Sequence, residues 1–124
     1  MEEKYPQKEL TSKIIGMCID IYKQIGSRYP EKVYQKSLEN KLTEAKINYK
    51  KENYCKIEVD GKRVGSFRLD FLVDDCVIIE LKVRNEILNK DIGQILTYMR
   101  LNEIKVGLLV LFTNKGAEFK RFAI

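Results

Sequence analysis

The sequence predicts an α/β protein, in the form of an α+β mixed sheet with helices packed against it. Three observations predict this class. Apolar residues recur at three- and four-residue steps over the first 45 residues, as in amphipathic helices. The spacing then changes to every second residue, as in strands. Finally, two almost wholly apolar runs flank a further helical pattern, which is typical of buried parallel strands joined by a helix.

Two helices are predicted before the sheet begins. The first runs from Glu9 to Ile25, with Thr11 or Ser12 as its N-cap. Pro30 suits the first turn of the second helix, because its fixed backbone angle is already helical and its missing N–H is not needed there. The apolar pattern carries this second helix to about Ala45.

Strand patterns follow from Tyr54, and Asp60-Gly61 is a strong hairpin signal. The later elements are a return strand Val64–Val73, a buried strand Cys76–Val83, a helix Asp91–Leu101, a buried strand Val106–Phe112 and a short edge strand Phe119–Ile124. The predicted order is therefore α-α-β-β-β-α-β with a short edge strand. The helical crossover is long enough to make the two buried strands parallel.

The length of 124 residues suits a single domain over residues 1–124. No apolar run is long enough to span a bilayer, and Met1–Pro6 lacks the features of a secretory signal. We therefore expect a cytoplasmic protein with no membrane partner. There is also no glycine-rich nucleotide-binding loop, so we expect no nucleotide cofactor.

The composition limits the chemistry that the chain can carry. Three widely spaced cysteines argue against a disulfide framework and a zinc site. The absence of histidine excludes Ser-His and Cys-His nucleophiles and every His-ligated metal site. Any chemistry must rest on carboxylates, lysines, tyrosines and hard, oxygen-ligated cations. The net charge of +5 suits an anionic partner.

Charged residues interrupt two of the predicted apolar strands. Glu80 and Lys82 are two residues apart, so they share one face of the third strand. Burying such groups is costly unless they are paired. One interpretation is a structural ion pair at the end of the sheet. Asp70 interrupts the preceding strand in the same way, which favours a functional site instead.

Whether Asp70 meets Glu80 depends on the loop between their strands. A two-residue loop, 74–75, would pair Leu69 with Glu80 and place the carboxylates on opposite faces. A three-residue loop, 74–76, would pair Asp70 with Glu80 directly. The sequence leaves both alternatives open, but only the second gives paired carboxylates that can hold Mg²⁺ or Mn²⁺ through oxygen ligands.

At these residues the chain resembles the PD-(D/E)XK nuclease superfamily, whose core is similar to that of restriction endonucleases, and within it the GxxExxY family. The resemblance covers about Ile14 to Arg121. The segments that carry it are Ile14-Ile15-Gly16, Glu31-Lys32-Val33-Tyr34, Gly61-Lys62-Arg63-Val64-Gly65, Phe67-Arg68-Leu69-Asp70-Phe71, Glu80-Leu81-Lys82, Gln94-Ile95-Leu96-Thr97-Tyr98 and Val106-Gly107-Leu108-Leu109.

The resemblance implies a role for each central residue. Asp70 and Glu80 would be metal ligands, with the backbone carbonyl of Leu81 as a third. Lys82 would position or activate the attacking water, or stabilise charge on the phosphate. Glu31 would be the acidic residue that the first core helix contributes to the site. The alternative for Glu31 is that it only interacts with the helix dipole.

Three further residues would contact nucleic acid. Gln94 and Tyr98 resemble the Gln-x3-Tyr motif of RecB-like nucleases, although they could also be an exposed polar residue and a core aromatic. Arg28 stands where the family carries its naming glycine, and could contact a phosphate or block the site. Tyr22 stands where family members usually carry histidine.

The implied function is a Mg²⁺- or Mn²⁺-dependent nuclease, with DNA expected before RNA. The alternatives are a non-catalytic module that keeps the fold and binds nucleic acid or a partner, and an endonuclease resembling Holliday-junction resolvases. Specificity could come from a partner or from a homodimer. The basic residues expected to contact phosphates are Lys36, Lys62, Arg63, Lys90 and Arg100.

Overall fold

The computed structural model describes residues 7–124; Met1–Pro6, in which no secretory signal was expected, lies outside them. The elements are α1 (Lys8–Ile25), α2 (Glu31–Glu44), β1 (Tyr49–Val59), β2 (Lys62–Val73), β3 (Val77–Lys82), α3 (Asn89–Leu101), β4 (Val106–Thr113) and β5 (Gly116–Ala123). This order confirms the predicted α-α-β-β-β-α-β pattern with a final edge strand. Within the described part of the chain, no helix is long and apolar enough to cross a membrane.

The strands form one mixed sheet in the order β1-β2-β3-β4-β5. β3 and β4 are parallel, as the helical crossover predicts, and the other neighbours are antiparallel. Helices α1 and α2 pack their apolar residues on one face of the sheet, and α3 packs on the other. Both faces of β3 and β4 are therefore covered, which explains why these strands are almost entirely apolar.

Some element boundaries differ from the predicted ones. Helix α1 begins at Lys8, so neither Thr11 nor Ser12 is its N-cap; the buried hydroxyl of Thr11 donates to the carbonyl of Gln7 at 3.0 Å. Strand β1 begins at Tyr49, which pairs with Val73, five residues before the alternating pattern becomes visible. The intervening residues are polar and mostly exposed, so their sequence does not show the pairing.

Strand β2 changes face at Asp70, where regular alternation was expected. Leu69 belongs to the core beneath α3, whereas Phe71 belongs to the core beneath α1 and α2. Two residues that are two apart in a regular strand would share a face. Glu52, which the register places opposite Asp70 on β1, has a left-handed φ of 55°. Both strands are therefore irregular at this point, and Asp70 does not take part in the regular pairing of the sheet.

A glycine in β4 allows α3 to lie close to the sheet. A Cβ atom at Gly107 would lie 2.7 Å from the sulfur of Met99 and 3.1 Å from Cδ1 of Ile95. Both distances are too short for a normal contact, so a larger residue would force the side chains of Met99 and Ile95 to move. Gly107 thus leaves room for these two side chains of α3 against β4.

Candidate active site

The loop between β2 and β3 determines which residues face each other. Val73 pairs with Val77, so residues 74–76 form a three-residue loop. Of the two alternatives left open by the sequence, this is the one that directs Asp70 towards Glu80. Regular pairing of the two strands continues only as far as Phe71 and Ile79. The two carboxylates lie immediately beyond this point.

Side chains replace the backbone ladder where the regular pairing ends. The N–H of Asp70 donates to Oε1 of Glu80 at 3.2 Å, and the N–H of Leu81 donates to Oδ2 of Asp70 at 2.8 Å. Asp70 and Glu80 are only 6% and 4% exposed. The two strands therefore hold their carboxylates against each other in the interior of the sheet.

This burial changes the proton affinity of Glu80. Loss of solvent, the charge of Asp70 and the hydrogen bond to Asp70 together raise the pKa of Glu80 to about 9. Lys82 opposes this shift, because its ammonium lies 3.5 Å from Oε2 of Glu80. The ammonium does not fully compensate, so the pKa of Glu80 stays raised when no cation is present.

Glu31 approaches the pair from α2. Its Oε1 lies 3.9 Å from the ammonium of Lys82, and its side chain is 36% exposed. Burial raises the pKa of Glu31, Lys82 lowers it and Asp70 raises it further. Glu31 thus joins Asp70 and Glu80 in a group of three carboxylates, with Lys82 between Glu31 and Glu80. A role limited to the helix dipole would not require these contacts.

Tyr34 helps to fix the position of Glu31. It is fully buried, its hydroxyl donates to the carbonyl of Gly26 at 2.6 Å, and its ring stacks on Phe112 with 4.3 Å between centroids. The hydrogen bond ties the first turn of α2 to the end of α1. The ring contact ties the same turn to β4.

Gln35 is a site residue that the sequence analysis missed. Its Nε2 donates to Oδ1 of Asp70 at 2.8 Å and to Oε1 of Glu31 at 3.4 Å. Gln35 lies four residues after Glu31, so the two share one face of α2. This spacing was the available signal, since any partner of Glu31 on that helix must lie three or four residues away.

Arg84 and Asp91 form a second contact that the sequence analysis did not predict. The Arg84 guanidinium lies 2.5 Å from Oδ2 of Asp91, which also accepts the N–H of Leu88 at 3.0 Å. Asp91 is 3% exposed. The pair joins the end of β3 to the first turn of α3. The charge of Arg84 also lowers the pKa of Glu31, so it acts on the site.

The structure does not bring the three expected nucleic-acid contacts to the carboxylates. Tyr98 is 5% exposed and belongs to the core beneath α3. Gln94 is half-buried on the same helix, and within residues 7–124 it has no hydrogen bond to the site. Arg28 is exposed in the loop before α2, and its charge is not among those that shift the pKa of Glu31.

The donors at this site fit a hard divalent cation with few protein ligands. Among residues 7–124, no three His, Cys, Asp or Glu side chains are close enough together to hold a metal ion. Asp70 and Glu80 supply two carboxylates, and oxygen is the ligand atom that Mg²⁺ and Mn²⁺ prefer. Mg²⁺ commonly binds through one or two carboxylates and keeps several waters. A cation would also relieve the repulsion between the two buried groups.

Comparison with known proteins identifies the family of the chain. A family model described as the PD-(D/E)XK nuclease superfamily matches residues 8–122. No curated protein matches the chain. A solved structure, "Crystal structure of SSO0001", has a similar fold, with a TM-score of 0.58 and 22% identity over 74% of this chain. The match spans only 48% of that protein, about half its length. The chain belongs to the PD-(D/E)XK nuclease superfamily.

Proposed function

We propose that this protein is a divalent-metal-dependent nuclease that hydrolyses phosphodiester bonds, with Asp70, Glu80, Lys82 and Glu31 as its site and DNA as its expected substrate. The observation that carries the proposal is the contact between Asp70 and Glu80. Two buried carboxylates that hydrogen-bond to each other's strand, with one pKa raised to about 9, are a costly arrangement without a cation. Membership of the superfamily supports the same conclusion.

Asp70 and Glu80 would hold the cation, Mg²⁺ or Mn²⁺, which when bound supplies Lewis acidity towards the phosphodiester and towards water. The carbonyl of Leu81 is suited to be the third ligand. In an extended strand the N–H and C=O of one residue point to the same side. Since the N–H of Leu81 donates to Asp70, its carbonyl faces that side of β3 as well.

Lys82 and Glu31 would act on the reacting groups. The Lys82 ammonium, held between Glu80 and Glu31, is placed to orient the attacking water or to stabilise negative charge on the phosphate. Glu31 would keep that ammonium in position. Its partial exposure also allows it to accept a hydrogen bond from a water at the surface of the site.

A cleavage assay tests the proposal. End-labelled single-stranded, duplex and branched DNA, and an RNA strand, are incubated with the protein in Mg²⁺, Mn²⁺ or EDTA. We expect cleavage with either cation, none with EDTA, and a loss of about a hundredfold or more in Asp70→Asn and Lys82→Met. Glu58→Gln, an exposed carboxylate on β1, is the matched control and keeps full activity. Failure to cleave any substrate would leave the alternative of a binding module.

The assay also addresses the finer expectations. Preferential cleavage of branched DNA would favour the resolvase-like alternative over a strand-specific nuclease. Membership of the GxxExxY family rests on the sequence resemblance, and the proposal does not depend on it. Arg28, where that family carries glycine, is exposed beside the start of α2. Arg28→Gly tests whether this departure weakens or blocks substrate binding.

A further inference from the structure

A basic groove lies beside Asp70, between α2 and the first two strands. It is a cavity of about 220 Å³, and Gln35 and Asp70 both contribute to its wall. Its cationic residues are Lys32, Lys36, Lys51 and Arg68. None of these four was assigned to the site by sequence, and only Lys36 was among the expected phosphate contacts.

The positive charges of the basic groove exceed the carboxylates that could neutralise them. Apart from Asp70, the groove contains four cations and two carboxylates, so two positive charges remain. Lys36 and Lys51 share a single carboxylate, Glu39, at 3.2 and 3.1 Å. Arg68 pairs with Glu52 at 3.5 Å.

Lys32 adds a charge with no partner. It is exposed, and within residues 7–124 it forms neither an ion pair nor a hydrogen bond. A surplus of cations against a concave surface attracts a polyanion, because low-dielectric walls concentrate the field. The surplus lies next to Asp70, which a bound cation would neutralise in turn.

The dimensions of the groove suit one strand. On α2 its residues run from Lys32 to Glu39 at helical spacing, so one face of the helix lines about 10 Å of it. In a duplex one strand rises roughly 3.4 Å per phosphate, and a free strand is more extended, so this length covers at most about three phosphates. We propose that the basic groove binds the phosphodiester backbone of a single nucleic-acid strand and leads it to Asp70. This inference rests on the proposed function.

Salt-dependent binding tests the groove separately from catalysis. A fluorescein-labelled single DNA strand is titrated with protein in Ca²⁺ at several KCl concentrations, and anisotropy gives the Kd. The groove variant combines Lys32→Gln and Lys36→Gln. The control combines Lys13→Gln and Lys105→Gln, two exposed lysines at the other end of the sheet. Both variants lose two positive charges, so a simple effect of net charge is the same in each.

We expect the groove variant to bind roughly tenfold or more weakly at low salt. The slope of log Kd against log salt should fall by about 1.4, which is 0.7 for each lost single-strand contact. The control should keep the slope of the unaltered protein. Equal losses of affinity in the two variants, or no loss in either, would overturn the proposal that the groove binds the strand.

The outcomes separate the two proposals. Cleavage by the unaltered protein, with equal slopes in both variants, would contradict the groove proposal and support the nuclease proposal. Binding that depends on the groove, with no cleavage in any cation, would support the groove proposal and contradict the nuclease proposal. If the unaltered protein neither binds nor cleaves at low salt, both proposals fail.

Discussion

The two carboxylates of Asp70 and Glu80 lie where regular pairing of β2 and β3 ends, and each accepts a backbone N–H from the other strand. These hydrogen bonds hold the groups in place, but they do not remove the repulsion between them. Burial and, after it, this repulsion raise the pKa of Glu80. The binding of a cation therefore competes with the protonation of Glu80.

Glu80 predicts a pH dependence of stability. Its pKa rises from 4.5 to about 9 on folding, so the folded state binds a proton more tightly than the unfolded chain. The resulting stabilisation is complete below pH 4.5 and is lost as the pH rises towards 9, with a slope of at most about 1.4 kcal/mol per pH unit. Urea unfolding in EDTA across this range measures it. Glu80→Gln should flatten the slope and Glu58→Gln should not; an unchanged slope in Glu80→Gln contradicts the assignment.

Glu31 distinguishes a site residue from a helix-dipole partner. If Glu31 belongs to the carboxylate group, Glu31→Gln relieves part of the repulsion, so the metal-free protein is as stable or more stable. The stabilisation by Mn²⁺ and the rate of cleavage should both fall. If Glu31 serves only the dipole, the same change costs about 0.3 to 1 kcal/mol and leaves the response to Mn²⁺ unaltered. Thermal melts with and without Mn²⁺ decide between these results.

Gln35 is expected to position Asp70. Gln35→Leu removes the donor that holds Oδ1 of Asp70 but leaves the cation ligands themselves in place. Loss of a group that orients a ligand typically reduces metal affinity or activity by about 10- to 100-fold. Gln24→Leu, which breaks an exposed hydrogen bond to Asp20 on α1, is the control. Calorimetry with Mn²⁺ checks the affinity, and equal affinities in the two variants would leave Gln35 with no role at the site.

At the scale of the elements, the predictions succeeded where an apolar pattern was continuous. The buried strands β3 and β4 and helix α3 lie within two residues of their predicted bounds. Strand β1 was missed over its first five residues, because pairing with β2 stabilises a polar stretch that has no pattern of its own. The change of face at Asp70 was also invisible, since it arises from two strands together.

The same difference applies to the site. Asp70, Glu80 and Lys82 stood out because each is a charged residue in an apolar strand, and the loop length was the one fact missing. Gln35 carries no such contrast, since a polar residue on a helix is usually exposed. Tyr98 was left with two alternatives by the sequence: its spacing from Gln94 matches a motif, and its ring lies in the core.

The contact between Arg84 and Asp91 predicts a large effect on α3. Asp91 is buried, pairs with Arg84 and accepts the N–H of Leu88, so Asp91→Ala leaves two donors unsatisfied. We expect a loss of about 3 kcal/mol in the free energy of unfolding, as is usual when one partner of a buried ion pair is removed. Glu86→Ala, which removes an exposed carboxylate between Arg84 and Asp91, is the control. A loss below about 1 kcal/mol would mean that the pair contributes little.

At the scale of the whole molecule, the net charge of +5 is less informative than its distribution. Of the five basic residues expected to contact phosphates, Lys62 and Arg63 begin β2 and Lys90 and Arg100 lie on α3. Only Lys36 lines the basic groove. The fold thus brings cations that are scattered along the sequence together beside Asp70, two of them from α2 and one each from β1 and β2.

The central claim is that Asp70 and Glu80 hold a hard divalent cation, and Mn²⁺ titration by calorimetry tests it most directly. We predict binding of Mn²⁺ to the unaltered protein, abolished by Asp70→Asn and retained in Glu58→Gln. Because the described site has oxygen donors and no histidine or cysteine, any binding of Zn²⁺ should depend on the same carboxylates and be lost in Asp70→Asn as well. Binding at this site should also stabilise the fold by about 2.7 kcal/mol at a Mn²⁺ concentration one hundred times Kd. Absence of Mn²⁺ binding, or binding that Asp70→Asn leaves intact, would contradict the account.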